Sequence, residues 1–301
     1  MKKALLLGIL SSFLFAFTFL LNRSMNLSGG YWMWSAPLRY MLTFVILTVV
    51  LLPRGRTGIK PVFEAIKAQP ANWLLWGGTI GFGVFYLPVT LASVFGESWM
   101  TAASWELTIV AGILLTPLFG KKIPVKNLLL SCLIVAGVFI MQIPNMTAGN
   151  MRGNLMALAT ITIGAFAYPL GNRKTMQFCP GSLDTLQRVY GMTICSLPFY
   201  FIVACLAFIT GGAPSGGQMI QSFGVALFSG TLGTVVFFHA TDLVKSDPRQ
   251  LALIEATQCG EVLFTLLEGV LILGDSMPQP AAFAGIALIV AGMIVNSLVS
   301  A

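Results

Sequence analysis

The sequence predicts an all-α integral membrane protein of ten transmembrane helices, built as two inverted five-helix repeats. Three observations carry that prediction. The chain of 301 residues is 56% hydrophobic and only 9% charged, with a mean hydropathy of +0.87, whereas soluble domains carry about 25% charged residues. Ten segments approach the ~20 mostly apolar residues that cross a bilayer. The run Leu133 to Gly137, LIVAG, returns unchanged as Leu288 to Gly292.

The predicted spans are residues 4–22, 32–52, 72–93, 99–119, 127–144, 153–171, 185–210, 218–241, 250–273 and 280–299. The first follows Lys2 and Lys3 as a secretory leader would. Its apolar run is long, however, and Asn22-Arg23-Ser24 offers no small-x-small cleavage site, so it is expected to stay as a helix. Connections such as Phe95 to Ser98 and Asp275 to Gln279 leave no room for a soluble domain, and the longest polar stretch, Pro53 to Ala71, reads as a short basic loop. Function is therefore expected among the helices. Pro37, Pro88, Pro117, Pro169 and Pro198 fall inside spans, where they free carbonyls and create kinks. Gly77, Gly78, Gly81 and Gly83 permit close helix contact. Trp32, Trp34, Trp73, Trp76 and Trp99 are expected in the interfacial aromatic belt.

Lysine and arginine set the orientation. With the N-terminus inside, the cytoplasmic side receives Lys2, Lys3, Arg54, Arg56, Lys60, Lys67, Lys121, Lys122, Lys126, Arg173, Lys174, Arg188, Lys245 and Arg249, and the outer side only Arg23 and Arg152. Both termini are expected in the cytoplasm and the protein in the cytoplasmic membrane. The net charge of +7 follows from this topology and from anionic lipid in the inner leaflet, so the bilayer is the expected partner and nucleic acid is not.

The repeat holds beyond its five identical residues. Asn22-Arg23 answers Asn172-Arg173 at an offset of 150, Gly78-Thr79-Ile80-Gly81 answers Gly230-Thr231-Leu232-Gly233 at 152, Gly120 and Pro124 answer Gly274 and Pro278 at 154, and the LIVAG copies lie at 155. A slow one-directional drift is what a few small insertions produce. The halves are assigned to residues 1–149 and 150–301. Five helices per half is an odd number, so the second copy is expected upside down relative to the first. Many secondary transporters are built this way, around a midplane site exposed alternately to either side. An inert or enzymatic bundle has no reason to be inverted, although inversion does not exclude one. No Gly-rich loop ending in Gly-Lys-Ser/Thr is present, so uphill movement must draw on an ion gradient.

Charges within the spans mark the candidate site, because each costs about 2.5–3.5 kcal/mol at a helix centre on insertion scales. Glu106 lies in the fourth span and Glu255, Glu261 and Glu268 in the ninth, the fourth span's repeat partner. Glu261 is nearest a helix midpoint, and Glu106 and Glu261 are expected to carry substrate or proton binding across the pseudo-twofold axis. Glu255, near the cytoplasmic end and turned about 120° from Glu261 by the helical period, is compatible with either a functional or a solvated role. Glu268, in the outer half, is expected to be solvated or salt-bridged. Trp105 stands directly before Glu106; a ring beside a carboxylate suits an organic cation, and a Trp near a membrane boundary also suits the belt. Arg39 would neutralise a buried glutamate or hold an anionic group of the substrate. His239, the sole histidine, could relay protons or sit at the interface.

Cys132, Cys179, Cys195, Cys205 and Cys259 match no metal or disulfide spacing and are expected as free thiols. No paired Asp motif, Ser/His arrangement or ligand spacing points to an enzyme, a metal or a cofactor.

The ten-helix inverted repeat, Arg39-Tyr40 in the second span, and a ninth span reading Glu261-Val262, then Gly269, then Leu273-Gly274-Asp275 resemble the drug/metabolite transporter superfamily, EamA type. That family's ninth helix reads Glu-Pro-Val, with a Gly eight residues after the Glu and a closing Leu-Gly-Glu. Here Glu261, Gly269 and Gly274 keep the spacing, while Val262 replaces the Pro, Asp275 the closing Glu, and Lys121 stands at the first-half counterpart of that acid. The resemblance implies export of small metabolites or drugs, commonly by proton exchange, and the low charge and short loops are similar to the multidrug-resistance efflux branch.

The expected function is thus secondary-active export of small metabolites or drugs, organic cations included, with protons as coupling ion and alternating access around a midplane cavity. A passive facilitator or importer of amino acids or other metabolites shares the same fold; neutralising Glu261 would then leave downhill flux intact. A non-transporting scaffold or intramembrane enzyme would show no flux.

Overall fold

The computed structural model describes residues 1–147, 151–244 and 247–300. Among these, every regular element is helical: α1 (Lys2–Leu27), α2 (Trp32–Leu51), α3 (Arg56–Ala68), α4 (Pro70–Phe95), α5 (Ser98–Trp105), α6 (Leu107–Leu114), α7 (Val125–Thr147), α8 (Met151–Phe178), α9 (Thr185–Gly211), α10 (Gly216–Asp242), α11 (Leu253–Leu273) and α12 (Pro280–Ser300). Nine helices among the described residues are long and apolar enough to cross a membrane. A helix satisfies its backbone polar groups within one segment, which lipid requires. The junction expected between residues 149 and 150, and Lys245, lie outside the described residues.

Two expectations are corrected. The segment predicted as one continuous fourth span is helical but broken: α5 ends at Trp105, α6 begins at Leu107, and a 3-10 turn covers Thr116–Phe119. The stretch read as a polar loop forms α3, whose Val62 and Ala65 are buried while Arg56, Lys60 and Lys67 stay exposed. Ile59, Val62 and Ile66 recur at helical spacing and pack on Leu47, Leu51 and Tyr190, a pattern hidden in the sequence by the surrounding charges.

The bundle buries polar side chains among its apolar core and exposes large apolar ones on its outside. Ser11, Thr18, Asn22, Thr90, Thr193 and Ser229 are buried, whereas Val45, Val49, Phe201, Ile209, Leu271 and Ile272 are exposed. Interior hydroxyls and amides therefore bond helix to helix: Thr18 and Ser229 at 2.5 Å, Asn22 Nδ2 to the Tyr86 hydroxyl at 2.7 Å, and Asn127 Nδ2 to Asn296 Oδ1 at 2.8 Å. The tryptophan expectation holds only in part. Trp73 and Trp99 are buried inside the bundle instead of forming part of a belt, Trp73 packed with Met192 and Cys195 and Trp99 with Val138 and Val262.

α7 packs extensively on α12; α4 packs on α8 and α9, α1 on α10 and α11, α2 on α9 and α10, α5 on α11, and α6 on α8. Glycine sets several of these approaches. A Cβ on Gly78 would overlap the Cys195 carbonyl, and one on Gly171 would overlap the Gly81 backbone. Gly137 and Gly285, from the two paired helices, lie each against the other's carbonyl oxygen. Contacts of this kind drive association where lipid removes the hydrophobic force between helices.

The repeated motifs occupy matching local structure. Gly78 to Gly81 lies in the π-helical stretch Trp73–Val84, and Gly230 to Gly233 in the π-helical stretch Phe228–Gly233. Gly120 and Gly274 both end a helical segment in the left-handed region, at φ 72° and 69°, which glycine adopts without steric cost. At the basic end, Asp184 caps α9 by accepting from Gln187 N–H at 2.9 Å and pairs with Arg54, while Gln187 Nε2 donates to Thr57 O at 2.7 Å.

Replacing Gly78 by Ala is expected to destabilise the protein by about 1–3 kcal/mol, the usual range for overpacking, seen as a lowered thermal midpoint in detergent. Gly217→Ala, whose nearest neighbour is Ser215 Oγ at 4.0 Å, should leave the midpoint unchanged or raise it.

Candidate functional site

A cavity of about 920 Å3 lies at the centre of the bundle, the size of a small-molecule site. It runs from Arg39, Tyr86 and Trp105 in the interior to Asn127, Arg173 and Ser297, near helix ends that carry the basic residues.

Breaks in the helices position its acids. At the α5/α6 break, Glu106 has φ −64° and ψ −11°, its N–H donates to Ala103 O at 3.4 Å, and its carbonyl accepts from Ile109 N–H at 3.1 Å. Its side chain is 5% exposed and lines the cavity. Within α11 a 3-10 turn, Thr257–Cys259, precedes the segment Gly260–Glu268, and Glu261 in that segment's first turn faces the same cavity. The partial exposure of Glu261 is exposure to this chamber. The two acids are near enough for their charges to interact.

Trp105 belongs to the chamber wall, its ring 5.1 Å from Phe85 and 5.8 Å from Tyr168. Arg39 is 9% exposed; its guanidinium lies 3.9 Å from the centre of the Tyr86 ring, and Nη2 donates to Ser229 Oγ at 3.2 Å. Tyr40 stacks on Tyr200 at 4.7 Å, and the Tyr200 hydroxyl donates to Phe82 O at 2.7 Å in the first π-helical stretch. Glu255 is exposed and lines the cavity.

Two residues stand apart. His239 is exposed and lines a separate cavity of about 310 Å3 with Arg54, Asp184 and Asp242, so the structure does not bring it to the acids. Glu268 is 6% exposed and neither of its carboxylate oxygens has a hydrogen-bond partner, which corrects the expectation of a solvated or salt-bridged acid. Two arginines counted by sequence only as topological charges, Arg173 and Arg188, line the chamber. Arg173 donates from Nη1 to Gly112 O at 2.5 Å. The Asn-Arg repeat containing Arg173 was the one signal that pointed to it.

The opposite end is sealed by contacts between the α4–α5 and α11–α12 connections. Asp275 Oδ2 accepts from the Ser98 N–H at 3.1 Å and the Ser98 hydroxyl at 2.5 Å, and Ser276 N–H donates to Glu97 Oε1 at 3.3 Å. A Cβ on Gly269 would strike both Ser98 and Asp275. Burial raises the Glu97 carboxyl above its ordinary range, and the neighbouring Asp275 charge adds to the effect.

A helical membrane bundle around a chamber with charged, polar and aromatic walls is the setting of a small-molecule transporter family. The chain belongs to the EmrE family, described as "Putative multidrug resistance efflux transporter", whose model matches residues 2–301; it is thus an integral membrane protein of the drug/metabolite transporter superfamily. It is 41% identical over 311 aligned positions to "Uncharacterized protein YjlA" of Bacillus subtilis (strain 168), covering 99% of this chain and 95% of that protein. It is 40% identical over 272 positions to an "Uncharacterized 42.1 kDa protein in intracellular alkaline protease 3'region" of Shouchella clausii, covering 86% and 70%. A solved crystal structure shares the fold at a TM-score of 0.62, with 14% identity over 100% of this chain and 98% of its own.

The raised Glu97 gives a signed pH dependence. Its stabilising contribution is fully present below the ordinary glutamate range and is lost as pH rises through its raised range, where it ionises beside Asp275. The thermal midpoint in detergent should therefore fall across that window as pH rises, and Glu97→Gln should flatten the slope.

Proposed function

We propose that this protein is a secondary-active exporter of small metabolites or drugs, organic cations included, working across the cytoplasmic membrane by exchange with protons. The observation that carries this reading is the pair Glu106 and Glu261, which come from the fourth and ninth predicted spans and meet at one chamber. A carboxyl held within the membrane-spanning bundle is costly as a lone ion. It becomes tolerable by taking a proton or receiving a cationic substrate, and exclusion of one by the other is the simplest form of exchange.

Alternating access around two inverted five-helix repeats is the accompanying mechanism. It is supported by the matched π-helical stretches and matched left-handed glycines. It is supported as well by the packing pairs, which exchange under the repeat: α4 with α8 and α9 answers α10 with α1 and α2, and α6 with α8 answers α11 with α1. Breaking the Ser98–Asp275 and Glu97–Ser276 contacts while closing the basic end would turn the chamber to the other side. On the positive-inside orientation, the present arrangement faces the cytoplasm.

Growth protection and proteoliposome flux test the reading. Glu261→Gln should abolish proton-driven uphill efflux, a loss of at least about tenfold, or ~1.4 kcal/mol, while the protein still folds because Gln preserves shape. Unchanged uphill efflux in Glu261→Gln and in Glu106→Gln would overturn the proposal. Retained downhill flux with lost coupling would mark Glu261 as the proton carrier.

A further inference from the structure

Arg39 is a buried cation of the chamber with a donor left unbonded. Of its two terminal nitrogens, Nη2 reaches Ser229, whereas Nη1 is buried and has no hydrogen-bond partner. No carboxylate lies within ion-pair distance of it: among the described residues the ion pairs are Arg54–Asp184 and Lys60–Glu64. The option that Arg39 neutralises a buried glutamate by direct pairing is therefore not the one the fold adopts, although Glu261 feels its charge across the chamber. Ionised side chains inside a membrane are retained for function or pairing, and an unmade bond on a buried charged donor carries a desolvation penalty. A guanidinium held by a ring face and one hydroxyl presents a fixed fork that matches a carboxylate.

The surroundings complete a subsite. The guanidinium sits over the Tyr86 ring, 3.9 Å from its centre, while Tyr86 itself is held by Asn22. Phe82, Phe85, Trp105 and Tyr168 line the same chamber and offer apolar and aromatic surface. At the basic end Arg173 and Arg188 add positive charge along the way in, which raises the local concentration of anions.

We propose that Arg39 is an anion-receiving subsite and that the transported molecule carries a carboxylate, bound to the Arg39 fork, on an apolar or aromatic body that packs against these rings. Glu106 and Glu261 are then left for the coupling proton. This rests on reading the chamber as the substrate site, and it narrows the substrate class.

The test is equilibrium binding to purified full-length protein at pH 7, followed by tryptophan fluorescence and calorimetry, with phenylacetate and phenethylamine as probes. They share a ring and differ in the sign of the charge. Phenylacetate should bind the wild type, and Arg39→Gln should weaken it by about tenfold or more, as loss of a charge-assisted bidentate contact does, with phenethylamine unaffected by the substitution. Arg39→Lys, which keeps the charge but loses the fork, should fall between the two and controls for folding. Failure of phenylacetate to bind the wild type, or equal binding by wild type and Arg39→Gln, would overturn the proposal. Binding through Arg39 without any flux in proteoliposomes would instead sink the transport reading and leave the subsite standing. Coupled flux that depends on Glu261 but ignores phenylacetate would do the reverse.

Discussion

An ion in hydrocarbon has nothing to solvate it, and the arrangement of this protein follows from that constraint. Arg39, Glu106 and Glu261 come from three different helices, yet all three open onto one chamber and not onto lipid. The remaining interior polarity is handled locally. Thr18 meets Ser229, Asn22 meets Tyr86, and Tyr200 takes the carbonyl of Phe82, so hydrogen bonds between helices accompany the apolar packing of the interior.

Irregular helix geometry is the means by which the acids are aimed. An unbroken fourth helix would rotate Glu106 with its neighbours at 100° per residue. The break between α5 and α6 frees that register and leaves Glu106 in a tight turn facing the chamber. The 3-10 turn before Gly260 does the same for Glu261. Such departures free backbone carbonyls, which is tolerable at membrane depth only where protein or water receives them. They sit beside the chamber for that reason.

Glycine sets how closely the helices meet. Backbone-to-backbone approach at Gly81 and Gly171 joins α4 to α8, and at Gly137 and Gly285 it joins α7 to α12. At the end opposite the basic one the contact is small: two connections, three hydrogen bonds and a pair of neighbouring acids, Glu97 and Asp275. A contact that is polar and holds like charges together is cheap to open, whereas the long α7 and α12 pairing is not.

Much was legible in the sequence because the bilayer imposes a one-dimensional code. Apolar runs of fixed length marked a helical membrane protein, of which nine helices among the described residues are long and apolar enough to span, the motifs carried the family resemblance, and charge within a span singled out Glu106, Glu261 and Arg39, which line the chamber. Tertiary structure decided what periodicity does not encode. It broke the fourth span, turned a basic loop into α3, moved Trp73 and Trp99 from the membrane surface into the interior, and separated His239 from the acids. It also brought Arg173 and Arg188 into the chamber and left Arg39 without a carboxylate partner. The reason is that a hydropathy pattern reports whether a residue lies within lipid depth, while only the packing of helices reports which face looks inward and which charges meet.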